Sequence, residues 1–322
     1  MRLLKKTGWL CCLLAPLLLQ AEPAKPIATG QDSGKPAVIK QDAQSTPRIA
    51  TVDWTIAETL LALGVTPLAM GDVESYRAWV GEPRLPAEVV DIGLRMQPNR
   101  ELLAELKPDL ILISPLMASL EPTLSHIAPV QSIALYEPDA GLWQRLHEAT
   151  LTIAALVNKT AEAERQLAVL ERDLARMKGQ LPANIPPLLL VQFIDERHVR
   201  VFGRHSLFEA VMNRLGLRNA WQGETNAWGF SVVSLEQFLA LPEARLVVVD
   251  PIPVGVSERL QEPGLWQHLP LVKQGKVLHL PAVWSFGGLL AARRFADLLS
   301  GALQEDRSSD PATQVTAKGA IQ

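Results

Sequence analysis

The sequence predicts an α/β protein built from two Rossmann-like lobes that a single long helix joins. Short apolar segments alternate with helical segments along most of the chain, the pattern of a parallel sheet covered by helices. The chain has 322 residues, more than one hydrophobic core normally serves. An internal echo favours two related lobes, because Asn99–Ile113 and Ser234–Val249 both resemble a capped helix, a tight break and a buried strand.

The N-terminus has the layout of a secretory signal peptide, which we assign to residues 1–24. Three of the first six residues are basic, and the apolar run Trp9–Leu19 precedes the small-residue stretch Ala21–Ala24. The run is too short for the alternative, a membrane anchor. Cys11 and Cys12 are the only cysteines, and no small residue precedes them, which argues against a lipoprotein. We therefore expect an exported, periplasmic protein that uses neither a disulfide nor a thiolate metal site.

Composition divides the remaining chain into flanks and lobes. Residues 25–47 are polar and lack periodicity, so they are predicted to form a disordered lead-in, and residues 304–322 a disordered tail of the same character. Between the flanks we expect an N-terminal α/β lobe at 48–158, a linking helix at 159–181 and a C-terminal α/β lobe at 186–303.

Strands and helices alternate in the predicted N-terminal lobe. The strands are the apolar segments Ile49–Val52, Pro67–Met70, Leu110–Ile113 and Val130–Leu135. The helices are Ile56–Leu63, ended by Gly64, then Asn99–Leu106 with Asn99 as its cap, and a short helix ending at Ile127. Gly71–Val89 fits neither pattern and is predicted to be a long loop.

Two helices follow, Leu142–Val157 and Thr160–Met177. The second carries one narrow apolar stripe on an otherwise charged surface, formed by Ala163, Leu167, Leu170, Leu174, Met177 and Leu181. An ordinary surface helix on one core would show the same stripe. We favour a stiff helix that joins two lobes and packs along both, because a fresh set of strands begins directly after it.

The predicted C-terminal lobe opens with a hairpin of Leu188–Phe193 and His198–Val201 that turns at Asp195-Glu196. Its helices are Ser206–Leu215, which stops at Gly216, a helix to Leu241 opened by a Ser234–Gln237 capping box, and Leu289–Leu299. Its further strands are Leu246–Val249 and Val277–Leu280.

The motifs that usually mark catalysis are missing from the sequence. It has no dinucleotide-binding glycine motif after the first strand, no Walker loop, no Gly-x-Ser-x-Gly and no His-Glu-x-x-His. Its six histidines are scattered, without a pair at metal-ligand spacing. Net charge is −3 with no basic block, which argues against a nucleic-acid partner. We expect a binding protein without a cofactor rather than an enzyme.

Large aromatic residues and one arginine stand in loops, where binding residues usually lie. Each tryptophan alone is more often a core residue, but aromatic loops at strand ends in both halves favour a ligand cleft between the lobes. Arg95 lies between apolar Leu94 and Met96, and its planar fork of donors suits an oxygen-rich ligand. The aromatic candidates are Tyr76, Trp79, Trp228, Trp284 and Phe286.

These loops closely resemble the family of periplasmic ferric-hydroxamate (ferrichrome) siderophore-binding proteins, which belong with the iron-siderophore and vitamin B12 receptors of ABC importers. The similarity extends from about Arg48 to Leu303, and its most specific motif is Asn219–Asn226. The stretches that carry the resemblance are Tyr76–Pro83, Asp91–Asn99, Val201–Gly203, Asn219–Asn226 and Pro281–Trp284.

The resemblance implies a binding protein that carries a ferric hydroxamate to an inner-membrane permease and its ATPase. We expect this protein to be a monomer. The chelator holds the iron, so the protein supplies no metal ligand. By motif, Arg95 donates to the hydroxamate oxygens, and Trp79, Trp228 and Trp284 line the cleft. Acidic residues on the two lobe tips dock to the permease in this family, and Glu121 and Glu236 are the nearest candidates here.

Two departures from the family's pattern leave the preferred siderophore open. Met117 stands in a loop where the family places a Tyr, and Phe286 stands where another Tyr is expected. The alternatives are the same fold carrying cobalamin or haem, a zinc or manganese receptor, and a periplasmic hydrolase that acts on siderophores.

Overall fold

The computed structural model describes residues 46–136 and 141–309. The predicted signal peptide and the lead-in up to residue 45 lie outside this part of the chain. Two five-stranded sheets organise the described residues, one in each half, which confirms the predicted α/β class. No helix in the described ranges has the length and apolar character needed to cross a bilayer.

The first sheet is entirely parallel. Its five strands and an adjacent two-stranded hairpin are β1 (Ile49–Thr51), β2 (Ala69–Met70), β3 (Val90–Asp91), the hairpin strands β4 (Gly93–Leu94) and β5 (Gln97–Pro98), β6 (Leu110–Ile113) and β7 (Val130–Ser132). The order in space is β3-β2-β1-β6-β7, with Ala50 paired to Ala69 and to Ile111. All four residues of β6 are buried, as expected for a strand covered by helices on both faces.

The helices of the first half, together with the long helix that follows, are α1 (Trp54–Ala62), α2 (Val73–Trp79), α3 (Arg100–Leu106), α4 (Glu121–Leu124), α5 (Leu142–Leu156) and α6 (Thr160–Gln180). Asn99 caps α3 as predicted, because its side chain accepts a hydrogen bond from Leu102 N. The segment 115–120 is a 3-10 helix.

The prediction of a long loop over Gly71–Val89 was wrong, because α2 lies within it. Asp72 caps this helix by accepting from Ser75 N. Val73 and Tyr76, three residues apart, face the core, and Val80 follows on the same side. The apolar pattern of this helix is short, and one of its members is Tyr76, which was predicted to contact the ligand.

The second sheet is mixed. Its strands are β8 (Leu188–Phe193), β9 (His198–Phe202), β10 (Phe230–Ser234), β11 (Arg245–Val249) and β12 (Val277–Leu280), in the order β10-β9-β8-β11-β12. The β8–β9 hairpin is antiparallel as predicted, and Asp195 Oδ1 accepts from the backbone N–H of Arg197 and of His198 at its turn. Strand β10, which the sequence analysis missed, pairs antiparallel with β9.

The helices of the second half are α7 (Leu207–Leu215), α8 (Val256–Gln261), α9 (Leu265–His268), α10 (Pro270–Lys273) and α11 (Leu289–Ser309). Gly216 ends α7 with φ +73°, as its position predicted. The predicted Ser234–Gln237 capping box is absent: Ser234 makes no capping bond, and residues 235–240 form a 3-10 helix.

The last helix corrects the predicted disordered tail, which does not begin at residue 304. Helix α11 continues to Ser309, and Asp306 on its final turns forms a two-bonded ion pair with Arg245 on β11. This pair fixes the end of the helix to the second sheet.

Helix α6 joins the two halves as predicted. Its stripe residues, from Ala163 to Met177, are buried. They pack against α5 of the first half and against α7 and α11 of the second, so the helix contacts both sides along its length. Helix α11 also packs on α1, and one hydrophobic core therefore runs through both halves behind the sheets.

Candidate ligand-binding cleft

A cavity of about 350 Å³ lies where the two halves meet. From the first half it is lined by Asp53, Ser114 and Ile133, which follow β1, β6 and β7 at the carboxyl edge of the parallel sheet. The second half contributes residues of β9 and β10 and of the loop after β12. Ligands of open α/β sheets bind at this edge, so the cavity is the candidate site. We give the name outer cleft to the part of the cavity that is lined by arginines and aromatic rings, namely Arg95, Arg200, Tyr136, Trp228, Phe230, Trp284 and Phe286.

Arg95 occupies the two-residue turn between β4 and β5 and lines the outer cleft. Its Nε donates to Val52 O at 3.0 Å, and its guanidinium carbon lies 4.5 Å from the centre of the Trp54 ring. Asp53 Oδ2 is 3.7 Å from Nη2, and the same oxygen accepts from Ser114 Oγ at 2.7 Å. The fork is therefore oriented before any ligand arrives, with its terminal nitrogens free of hydrogen bonds among the described residues.

The surroundings of Arg95 act on its charge in opposite directions. Burial lowers the pKa of Arg95, while the carboxylates of Asp53 and Asp72 raise it. Asp53 is itself held in place, because its Oδ1 accepts from Thr55 N and Ile56 N as the cap of α1. The helix cap and the arginine thus share one carboxylate.

A second arginine lines the cleft from the other half. Arg200 lies on β9, with its guanidinium carbon 5.5 Å from the centre of the Phe230 ring and 6.0 Å from that of Trp79. Its Nη1 donates to Gln192 Oε1 at 3.5 Å, and burial lowers its pKa. Arg200 was not among the predicted site residues, because it lies inside a strand. The available signal was a charged residue between two buried valines, which strand alternation places on the opposite face.

The aromatic wall of the outer cleft is continuous. Trp228 stacks on Tyr136 with ring centres 5.5 Å apart and contacts Phe286 edge-on at 5.4 Å. Phe286 in turn lies 5.2 Å from Trp284 and 5.8 Å from Phe230. Of the predicted residues, the structure thus brings together Arg95, Trp228, Trp284 and Phe286.

Three predicted residues do not line the cleft, and two of them lie in the core. Tyr76 is 0% exposed, because it lies on the inner side of α2, where its OH donates to Pro83 O at 3.1 Å. Met117 is 2% exposed and packs into the core of the first half. Both are core residues, which corrects their assignment to the ligand. Trp79 is half-buried and reaches the site only through its contact with Arg200.

Tyr136 was missed, although it is one of only two tyrosines and directly follows the predicted strand Val130–Leu135. Its ring lines the cleft, while its OH donates to Gly287 O of the second half at 2.9 Å. The cleft therefore contains a tyrosine that the loop after β6 lacks, but its hydroxyl already has a partner in the protein. Burial raises the pKa of this hydroxyl.

Hydrogen bonds between the halves form the base of the site, and we call this set of contacts the seam. Thr55 Oγ1 donates to Phe286 O at 2.7 Å and accepts from Trp284 Nε1 at 3.0 Å. Glu58 accepts from Gly288 N, and its burial raises the pKa of its carboxyl to about 8. Gly287 is required here, because a Cβ at this position would lie 2.2 Å from Ala291 Cβ.

The two predicted docking residues lie one in each half, and both are exposed. Glu121 is the first residue of α4. Glu236 lies in the 3-10 helix after β10, where a hydrogen bond from the Ser234 hydroxyl lowers the pKa of its carboxyl. Their role in docking stays a prediction. No cluster of three potential metal-ligating side chains occurs among residues 46–136 and 141–309.

Known proteins resemble this chain over most of its length. The sequence profile of the family described as periplasmic binding protein matches residues 49–283. The iron(3+)-hydroxamate-binding protein FhuD of Escherichia coli K12 is 37% identical over 257 residues, 80% of this chain and 86% of that protein. The Fe(3+) dicitrate-binding periplasmic protein FecB of the same organism is 28% identical over 288 residues, 88% of this chain and 92% of FecB.

A solved structure agrees with the fold described above. The siderophore-binding protein FhuD of Vibrio cholerae, crystallised with Fe3+–Desferal, superposes with a TM-score of 0.76 at 28% sequence identity. The match covers 80% of this chain and 98% of the other.

Proposed function

We propose, since this chain belongs to the periplasmic binding protein family, that it captures ferric hydroxamate siderophores in the outer cleft and delivers them to an inner-membrane ABC importer for iron uptake. The observation that carries the proposal is the pair of arginines, Arg95 and Arg200, that line one cleft from opposite halves against aromatic walls. The relatives that bind hydroxamate or Desferal complexes, by their names, support the same class of ligand.

The chemistry of a caged ferric ion fits this lining. Hydroxamate oxygens fill the coordination shell of the iron, so the chelator rather than the protein holds the metal. What remains for recognition is the outer face of the cage, whose oxygens accept hydrogen bonds and whose carbons are apolar. Guanidinium groups can donate to the oxygens, and the rings of Trp228, Trp284 and Phe286 can contact the carbons.

The partners follow from the family. Binding proteins of this kind deliver their ligand to an ABC permease and its ATPase. The N-terminal segment predicted as a signal peptide would place this chain in the periplasm. We propose that the chain acts there as a monomer. Exposed Glu121 and Glu236, one in each half, are the proposed contacts to the permease. Their charges lie near the surface, so this contact would weaken as salt concentration rises.

Quenching of tryptophan fluorescence tests the proposal, because Trp228 and Trp284 line the cleft. Saturable quenching by Fe3+–Desferal and by ferrichrome is expected, with none by cobalamin or haemin at equal concentration. Quenching by cobalamin or haemin but by no hydroxamate would contradict the proposal. Recovery of intact chelate after long incubation separates binding from the alternative of hydrolysis.

A further inference from the structure

The cavity does not end at the arginines and aromatic rings. It continues between α1 and α5, where its lining changes to aliphatic side chains. We call this part the inner chamber. Its walls are Ile56 of α1, Ile133 and Leu135 after β7, and Leu146, Ala149 and Ile153 of α5.

Among the residues that the structure describes, the inner chamber offers a ligand no free side-chain hydrogen-bond donor. Its two threonines turn their hydroxyls onto their own helices: Thr59 Oγ1 donates to Thr55 O and Thr150 Oγ1 to Leu146 O, both at 2.7 Å. The charged residues that line the cavity, Asp53, Arg95 and Arg200, belong to the outer cleft. A polar group placed in the chamber would lose its water without gaining a partner, whereas an alkyl chain would gain by burial.

Tyr136 connects the two parts of the cavity. It stacks on Trp228 in the outer cleft and directly follows Leu135 of the inner chamber. Because its hydroxyl is bound to Gly287 O, its ring presents an apolar surface to both. A ligand with an iron cage in the outer cleft and an aliphatic substituent would therefore meet an apolar surface from one part to the other.

We propose that the inner chamber binds an aliphatic chain carried by the siderophore, so that the preferred ligands are ferric hydroxamates with an alkyl or acyl substituent. This inference rests on the proposed function and narrows its ligand class. The two arginines bind the iron cage, and the aliphatic chain of the siderophore adds affinity because it moves from water into the apolar chamber. Each methylene that enters the chamber tightens binding about fourfold.

Two derivatives of one chelator test this inference. The terminal amine of Desferal is acylated with acetyl or with octanoyl, and each product is loaded with Fe3+, so that the cages are the same. Fluorescence titration of the full chain is expected to show the octanoyl complex bound at least about tenfold more tightly, as two buried methylenes would give. Equal affinity for the two complexes would overturn the inference.

A matched pair of variants locates the effect. Ala149→Phe fills the inner chamber, so it should abolish the preference for octanoyl, while the acetyl complex still binds in the outer cleft. Ala155→Phe makes the same change on the exposed side of α5 and should keep the full preference. If Ala149→Phe retains the preference, the chain binds elsewhere and the inference fails. Should that variant not fold, Ala149→Val, a smaller filling, should reduce the preference in the same direction.

The two titrations distinguish failure of this inference from failure of the proposed function. Failure of the wild-type protein to bind either complex contradicts the proposed function. Binding of both complexes with equal affinity leaves the proposed function in place and removes the inner chamber from ligand recognition.

Discussion

Arg95 in the first half and Arg200 in the second both line the cleft against aromatic rings, yet the protein holds them differently. Arg95 has a hydrogen bond to Val52 O at 3.0 Å and a carboxylate, Asp53, beside its fork. Arg200 has one long hydrogen bond of 3.5 Å, to Gln192. The first half thus presents an oriented donor and the second a more adaptable one. Such a combination suits a family of cages that share oxygens but differ in their backbones.

Arg95 and Arg200 can bind one ligand together only while the two halves keep a fixed relative position. The hydrogen bonds of the seam hold that position, so a change in the seam should have the greatest effect. Glu58 has a pKa of about 8 in the folded protein because it is buried, against an ordinary value of 4.5. From about pH 4.5 to 8 the unfolded chain releases this proton while the folded protein keeps it. The contribution of Glu58 to the stability of the wild type should therefore fall as pH rises through this window, by at most about 1.4 kcal/mol per pH unit.

Glu58→Gln should remove this part of the pH dependence, since the amide resembles the protonated acid and does not titrate. Urea unfolding of both proteins at pH 5 and pH 8 measures the effect, with the advantage of the variant growing by a few kcal/mol toward pH 8. The same pH dependence in both proteins would show that Glu58 ionises normally in the folded state.

The next largest effect should come from the oriented arginine. Arg95→Ala is expected to weaken binding of Fe3+–Desferal by about 1.5–3 kcal/mol, the range for lost hydrogen bonds to a charged group. Arg95→Lys should recover only part of the loss, because it restores the charge without the planar fork. Fluorescence titration gives the affinities and circular dichroism checks folding. Unchanged affinity in folded Arg95→Ala would remove this residue from the site.

A smaller loss should follow from the adaptable arginine. Arg200→Ala is expected to weaken binding of the same chelate by about 1 kcal/mol, since its donor is less well oriented. The same titration measures it. A loss equal to or larger than that of Arg95→Ala would break the contrast between the two halves.

The smallest effect should come from Tyr136. Replacing it with Phe removes the hydrogen bond to Gly287 O but keeps the ring that lines the cleft. We expect a loss of about 0.5–1 kcal/mol in the free energy of unfolding, and less than about a twofold change in affinity for the acetylated chelate. A large loss of affinity would instead show that the hydroxyl leaves Gly287 to contact the ligand.

Local patterns predicted the fold well where burial follows a regular period. The stripe on α6 recurs at helical spacing, so its buried face was evident, and Asn99 and Gly216 mark helix ends by their chemistry. Strand β10 was missed although it is longer than β12, because it lies at the edge of its sheet and only Val233 of its five residues is buried. The 3-10 helix at 115–120 was missed because six residues leave no room for a helical period. Helix α2 escaped for the same reason.

The site was predicted only in part, because a sequence pattern shows that a residue is special without showing what it faces. Arg95 and Trp228 stood out in loops, and the structure brings them to one cleft. Tyr76 stood out equally but points into the core. Arg200 was concealed within a strand, and the inner chamber joins helices α1 and α5, which are far apart in sequence. Such contacts depend on tertiary packing that no local pattern encodes.

A crystal structure of the complex with Fe3+–Desferal would show how the protein holds the chelate. We expect an intact iron cage in the outer cleft, with the guanidinium groups of Arg95 and Arg200 donating to hydroxamate oxygens and only chelator oxygens bound to the iron. A protein side chain coordinated to the iron, or a chelate bound away from both arginines, would contradict this expectation.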